Sequence, residues 1–228
     1  MELFYDQFIT KGGYEVALEG LLVTVEIAVF GLLIGILLGT LIAIVRVMPK
    51  YRRLPKVLDA LCSIYVGTFR GTPMVVQLLI GYYVLFPFLG IRLDGVIVAA
   101  LIFGLNSAAY VSEMMRSGIL SVDAGQLEAA RALGLPYSIS MLKIVIPQSI
   151  KNILPTLGNE FIMLIKDTSI VSFIAVVDIT KAFRQIGDAT YEYVIPYLFL
   201  AAIYLVIIFG ITLLVKLMER RLRKSERR

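Results

Sequence analysis

Ionisable side chains stand inside otherwise apolar stretches of this sequence, and any chemistry starts with them. Glu160 interrupts the run "TLGNEFIMLI", beside Asn159 and one turn before Met163. Asp59, Ser63, Gly67 and Arg70 fall on one helical stripe. Glu113 and Arg116 stand three apart, which puts them within pairing reach on a helix. Lys166 and Asp167 adjoin in "KDTS", and Glu26 lies in the first apolar run. A charge in hydrocarbon costs several kcal/mol unless it is paired or wetted, so each of these marks a ligand pathway or a structural pair. There is no histidine and one cysteine, Cys62. That argues against His-based acid–base catalysis, His metal sites and an intrachain disulfide. The remaining groups can bind and steer a charged ligand.

The elements that position them are membrane-crossing helices. Of 228 residues 59% are hydrophobic and only 17% charged, with a mean hydropathy of +0.86. A soluble domain carries about 25% charged residues. Continuous apolar runs favour helices over the short alternating segments of a membrane barrel. The opening "MELFYDQFITKGGYEVALEG" lacks the basic start and small-residue cleavage site of a signal peptide. Spans are predicted at roughly 17–47, 57–89, 94–119, 155–177 and 196–218. Gly31, Gly35 and Gly39 repeat every fourth residue in the first, a spacing that lets helix backbones approach closely. The second is broken at "RGTP", Arg70 to Pro73. The fourth is expected to start at Pro155 and to break again near "KDTS", freeing backbone groups beside Glu160.

Topology follows from the basic residues. Arg46 to Lys56, Arg116 to Lys151 and the stretch from Lys216 onward hold sixteen Lys and Arg; the intervening segments hold Lys11, Arg92, Lys181 and Arg184. Basic loops stay cytoplasmic. The count is then five crossings, with the N-terminus outside and the C-terminus in the cytoplasm. This distribution accounts for the net charge of +5 without a nucleic-acid partner.

One cytoplasmic segment is polar: "GQLEAARALGLPYSISMLKIVIP" from Gly125 to Pro147. Ser121 or Asp123 can cap a short helix over Gly125–Leu133, Gly134 can close it in the left-handed region, and Pro136 blocks continuation. A second helix is expected from Pro136 to about Val145, with Pro147 restarting the chain. Leu127, Ala130 and Leu133 share a face, and Ala129 and Ala132 keep the surface low. Such a helix either fits a cleft on another protein or is an ordinary structured loop.

The spacing Glu128-Ala129-Ala130, three residues, Gly134, nine residues, then Ile144-x-Ile146-Pro147 resembles the EAA loop of ABC-importer permeases, with Ile146 where that pattern has Leu. "RGTPMVVQ" at 70–77, "NSAAYVSEMMRSGI" at 106–119 and "NEFIMLIKDTS" at 159–169 are similar to the polar-amino-acid subfamily. The resemblance covers nearly the whole chain. It implies an all-α, polytopic fold of the type I importer permease, as one transmembrane domain over 1–228 with a coupling loop at about 121–147. Glu128, Ala129, Ala130 and Gly134 would couple to a cytoplasmic ATPase. Two ATP-binding subunits, a second permease (identical or a sister chain) and an extracytoplasmic solute-binding protein are the implied partners, in a cell inner membrane with its lipid. ATP and magnesium would sit on the ATPase, with no cofactor here. No Gly-Lys pair exists in the chain, so it has no Walker A loop and is not expected to be an enzyme. Glu160, Asn159, Met163, Asp59 and Arg70 are expected to bind the substrate. Glu113, Arg116, Lys166 and Asp167 are expected to gate or brace. A buried carboxylate favours a cationic ligand, hence a basic amino acid. Glutamine, glutamate or cystine is the alternative within the family, and an ion channel the alternative outside it.

Overall fold

Close approach of two backbones sets the centre of the fold. The computed structural model describes residues 2–51 and 53–224, with side chains to Leu222, so the expectations for Arg52, Arg227 and Arg228 fall outside it. The regular elements among them are helical: α1 (Glu2–Tyr5, running into a π turn over Asp6–Thr10), α2 (Gly13–Val47), α3 (Arg53–Gly71), α4 (Met74–Ile80, then a π turn over Gly81–Leu85), α5 (Phe86–Phe88), α6 (Gly95–Leu120), α7 (Ala124–Ala132), α8 (Tyr137–Ser140, then a π turn over Met141–Val145), α9 (Ile146–Asp167, then a 3₁₀ segment Thr168–Ile174), α10 (Ile179–Thr190) and α11 (Val194–Lys224).

Helix α2 lies along α6 through the glycines the sequence singled out. A methyl added at Gly35 would stand 2.5 Å from Ser107 Oγ, and one at Gly39 2.8 Å from Val111 Cβ. Gly31 meets Phe103, and Gly104 in turn receives Ile34. The partners advance together along both helices, so α2 and α6 run parallel. The chain between them must therefore return across the thickness of the bundle. It does so through α3 and α4–α5, which meet at a 107° bend. Pro73 causes the break, because it has no amide to give the carbonyl of Phe69.

Helices α2, α6 and α11 are long and apolar enough to cross a membrane, and the bent pair adds a fourth crossing if it counts as one span. The fourth predicted span differs from expectation. Helix α9 is 22 residues long, but it carries Lys151, Glu160, Lys166 and Asp167, and it is less apolar than the others. It also begins earlier than predicted. Pro147 lies in its first turn, where an amide is dispensable, and Pro155 sits inside it without ending it. The helix passes through Asn159 and Glu160 intact and changes to 3₁₀ only at Thr168. The α-helix thus ends at the expected "KDTS" break, but Pro155 does not interrupt it, and no backbone groups are freed beside Glu160.

The main core joins α2, α4, α6, α9 and the 3₁₀ segment through Ile27, Leu78, Phe103, Ile165, Val171 and Ile174. A second cluster ties α1 and α10 to α2 and α11 through Phe4, Ala17, Phe183 and Leu200. Phe8 stacks between Phe4 and Phe183, with ring centroids 5.2 and 5.9 Å away. Asp178 caps α10, accepting from the amides of Thr180 and Lys181, and its backbone packs against Gly20. Helix α11 stands at the periphery, with only 6% of its span window buried.

Candidate functional site

Three polar constellations follow from this arrangement. The first surrounds Glu160. Its position on α9 turns the side chain toward α6, where Ser107 donates a hydrogen bond to Oε1 at 2.8 Å. Glu160 is 3% exposed. Ser107 in turn fills the groove left by Gly35, so the carboxylate sits where α2, α6 and α9 meet. Asn159 and Met163 occupy the adjoining, exposed side of α9, in a stripe with Asn152, Thr156 and Lys166. The sequence grouped Glu160, Asn159 and Met163 together. The structure divides them between a buried face and an exposed one, one residue or one turn apart.

The second constellation repairs the broken helix. The carbonyl of Phe69, orphaned by Pro73, accepts from Gln77 Nε2 at 2.8 Å and from Asn106 Nδ2 at 3.3 Å. Gln77 also donates to Thr72 Oγ1 at 2.8 Å, and its own Oε1 accepts from Asn106 at 2.9 Å. Tyr65 reaches from α3 to the carbonyl of Leu105 at 2.5 Å. These side chains give the carbonyl freed by the proline the partners that the helix can no longer supply. Gln77, Asn106, Ser107 and Tyr65 were not predicted as site residues. The signal was available: Pro73 identifies the orphan carbonyl, and Asn106-Ser107 is a polar pair in an apolar run. Arg70 leaves this network and places its guanidinium 5.3 Å from the centroid of the Tyr110 ring.

The third is an ion cluster at the far ends of α2 and α6. Glu113 receives Arg46 on Oε1 and Arg116 on Oε2, the latter at 2.9 and 3.1 Å. Lys50 bonds Asp59 at 2.5 Å, and Arg46 Nε lies 3.9 Å from the same carboxylate. The predicted Glu113–Arg116 pair is present. Asp59, however, joins this cluster and not Glu160; Glu113 is six residues beyond Ser107 on α6, roughly 9 Å along the axis. Arg46 and Lys50 were counted for topology only, and their role as the cations that hold Asp59 and Glu113 was missed. Their partners are distant in sequence. Lys166 is exposed and Asp167 half-buried at the α9-to-3₁₀ junction. Glu26 is exposed on α2.

Helix α7 is built as a rigid projection. Asp123 caps it, accepting from the amide of Gly125 at 2.7 Å, so the cap is Asp123 and not Ser121. Gly134 takes φ +83°, its amide bonds the carbonyl of Arg131, and the amide of Leu135 bonds that of Ala130. These two bonds form a Schellman closure. Glu128, Ala129 and Gly134 are exposed. Ala130 is 2% exposed, packed against the chain's own α8 and π turn, because the Leu127–Ala130 face turns inward. It braces the helix from beneath and does not present a docking surface. Leu133 lies outward, 83% exposed. Burial pushes the Tyr137 hydroxyl above its ordinary range at the base of this loop.

An all-helical chain with a parallel pair of membrane-length helices, a repaired helix break and a buried carboxylate is a polytopic membrane protein of the transport class. The chain belongs to the family of binding-protein-dependent transport system inner membrane components, which its residues 31–224 match. It is 40% identical over 209 residues to the arginine transport system permease protein ArtQ of Bacillus subtilis (strain 168), covering 92% of this chain and 93% of that one. It is 37% identical over 204 residues to a putative glutamine transport system permease protein GlnP of Rickettsia bellii (strain RML369-C), covering 90% and 91%. Among solved structures, an amino acid ABC transporter with histidines superposes with a TM-score of 0.85 at 38% identity, covering 94% of this chain and 98% of that one. The inward-facing MetNI methionine ABC transporter shares the fold, with a TM-score of 0.70 at 18% identity.

Proposed function

We propose that this chain is the permease subunit of an ATP-driven importer for polar amino acids, with basic ones preferred. The observation that carries the proposal is the buried carboxylate of Glu160 with one neutral donor, Ser107, on it. An ammonium or guanidinium entering from the Asn159–Met163 face would compete against a single hydroxyl, and a charged pair is the stronger bond. The arginine transport for which ArtQ of Bacillus subtilis is named agrees with a cationic ligand. A second reading has the binding protein do the selecting, with this chain admitting neutral polar amino acids as well. The glutamine and cystine systems among the relatives favour it.

The chain forms one domain over 1–228. It crosses five times, counting α9 and the bent α3–α5 segment, with the N-terminus outside and the C-terminus in the cytoplasm. Parallel α2 and α6 support this reading, as does α9 running back along α6 from Ile153 near Gly118 to Glu160 near Ser107. On this topology the ion cluster and α7 share the cytoplasmic side. Glu128, Ala129 and Gly134 dock in a partner ATPase, which holds the ATP and magnesium. Two such ATPases, a second permease chain, identical or sister, and an external binding protein complete the assembly. Asn159 and Met163 line the pathway with Glu160 behind them. Asp59, Glu113 and Arg116 act as a cytoplasmic brace, and Lys166 and Asp167 as a hinge at the end of α9. Arg70 at the helix break is the candidate partner for the ligand carboxylate.

The test is ATP-driven uptake in proteoliposomes holding the full assembly, comparing lysine with glutamine for Glu160→Gln. Lysine uptake should fall at least tenfold while the variant folds normally. Unchanged lysine uptake would remove Glu160 from the binding role. An equal loss for both amino acids would favour the second reading.

A further inference from the structure

Helix α11 outlasts the bilayer. It runs 31 residues, about 46 Å at 1.5 Å per residue. No charged residue stands between Val194 and Lys216, a stretch of roughly 33 Å that matches a hydrocarbon core of about 30 Å. The helix then continues without a break through Lys216, Arg220 and Arg221 to Lys224, with Glu219 as the acidic member. With α11 spanning the membrane, Lys216, Arg220 and Arg221 come at headgroup depth. Their direction is set by the rest of the helix. Val206, Phe209, Leu213 and Leu217 form an exposed stripe, 72%, 69%, 59% and 46% exposed, which no other described part of the chain covers. Spacings of three and four carry that stripe on to Arg220, with Arg221 adjacent, and both are exposed. The face that meets acyl chains is continuous with the face that bears the guanidinium groups.

We propose that the basic end of α11 is a binding site for anionic phospholipid headgroups, with Lys216, Arg220 and Arg221 as its phosphate-binding side chains. Arginine forks pair bidentately with phosphate, and the flanking Leu213 and Leu217 seat the chains of the same lipid. A basic cluster directly at the end of a span attracts anionic lipid at about 1 kcal/mol per charge. The site anchors a helix that stands at the periphery of the chain, little buried by protein. It goes beyond the transport reading and needs only that α11 crosses the membrane.

The purified full chain is titrated in neutral detergent with phosphatidylglycerol and, separately, with phosphatidylcholine, and bound lipid is counted by native mass spectrometry. Phosphatidylglycerol should bind more tightly, and added salt should weaken it. The triple substitution Lys216→Gln, Arg220→Gln, Arg221→Gln should weaken phosphatidylglycerol binding about a hundredfold, since each charge is worth about fivefold. The charge-keeping set Lys216→Arg, Arg220→Lys, Arg221→Lys should keep most of it. If the triple variant does not fold, Arg220→Gln alone should still show the fivefold step. Equal binding of the two lipids, or full binding by the neutral variant, overturns the proposal. So does unchanged lipid binding with lost association of the ATPase subunit, which would make an acidic protein surface the occupant. Lipid counting needs no transport, so failure of the uptake assay leaves this result independent.

Discussion

A single methyl at Gly35 probes packing and site together. The added carbon would lie 2.5 Å from Ser107 Oγ, 2.8 Å from its Cβ and 3.3 Å from its backbone carbonyl carbon. The first two contacts are far inside van der Waals separation, and the third involves backbone, which cannot swing away. Ser107 can relieve the hydroxyl contact only by leaving Glu160, and it cannot relieve the Cβ contact at all. Overpacking of this kind costs about 1–3 kcal/mol. Losing a hydrogen bond to the buried carboxylate adds about 1–3 kcal/mol. Gly35→Ala should therefore lose about 2–6 kcal/mol, read as a lowered midpoint of thermal or denaturant unfolding in detergent. Gly210→Ala on α11 is the control: its methyl meets nothing within 4 Å, and stability should hold or rise by up to about 1 kcal/mol. Gly35→Ala combined with Ser107→Gly moves the methyl across the same gap. It should recover most of the packing loss while Glu160 stays without its donor. If Gly35→Ala is as stable as the parent, or if the double variant is no better than the single, the close α2–α6 approach is not what holds the bundle.

Further outcomes follow from the other constellations. Gly134→Ala places a side chain at φ +83° with no neighbour within 4 Å, so its cost is backbone strain alone, about 1–2 kcal/mol. The protein should fold but lose ATP-coupled uptake, Gly134→Asn should lose less, and a passive channel would conduct unchanged in both. Gln77→Leu leaves the Phe69 carbonyl with only the longer Asn106 bond and takes away Asn106's own partner; unfolding should become easier by about 1–3 kcal/mol, most visibly in local exchange at 69–77. Glu113→Gln takes the carboxylate from Arg116 and leaves Arg46 only its 3.9 Å approach to Asp59, in a partly exposed cluster. It should destabilise by about 1–3 kcal/mol, less than a fully buried pair would, and a second substitution Arg46→Gln should restore part of the loss, as a double-mutant cycle would measure.

Much was legible because composition and local spacing are properties of the chain alone. Apolar length and low charge gave helices in a membrane, and the glycine triplet gave the packing face of α2. The Gly134–Pro136 punctuation gave the end of α7, since a left-handed residue and a blocked amide act locally. Pairing of Glu113 with Arg116 was legible for the same reason. The start of α9 was not: Pro147 and Pro155 look like breaks, yet one falls in a first turn and the other costs only a single bond inside a packed helix. Which way a side chain turns was not legible either. Glu160 and Asn159 are neighbours in sequence, but successive helical residues point about 100° apart, so only packing against Gly35 and Ser107 decided that the carboxylate is inside and the amide outside. Asp59 read as a ligand group until the chain brought Arg46 and Lys50 to it, and Ala130 read as a docking residue until α7 folded down on its own loop. The sequence by itself determined that this chain is built of long apolar helices and where local punctuation ends them, because hydrophobicity and backbone stereochemistry act residue by residue. The tertiary structure alone decided that Arg46 and Lys50 meet Glu113 and Asp59 and that Ser107 meets Glu160, because that depends on distances between residues apart in the chain.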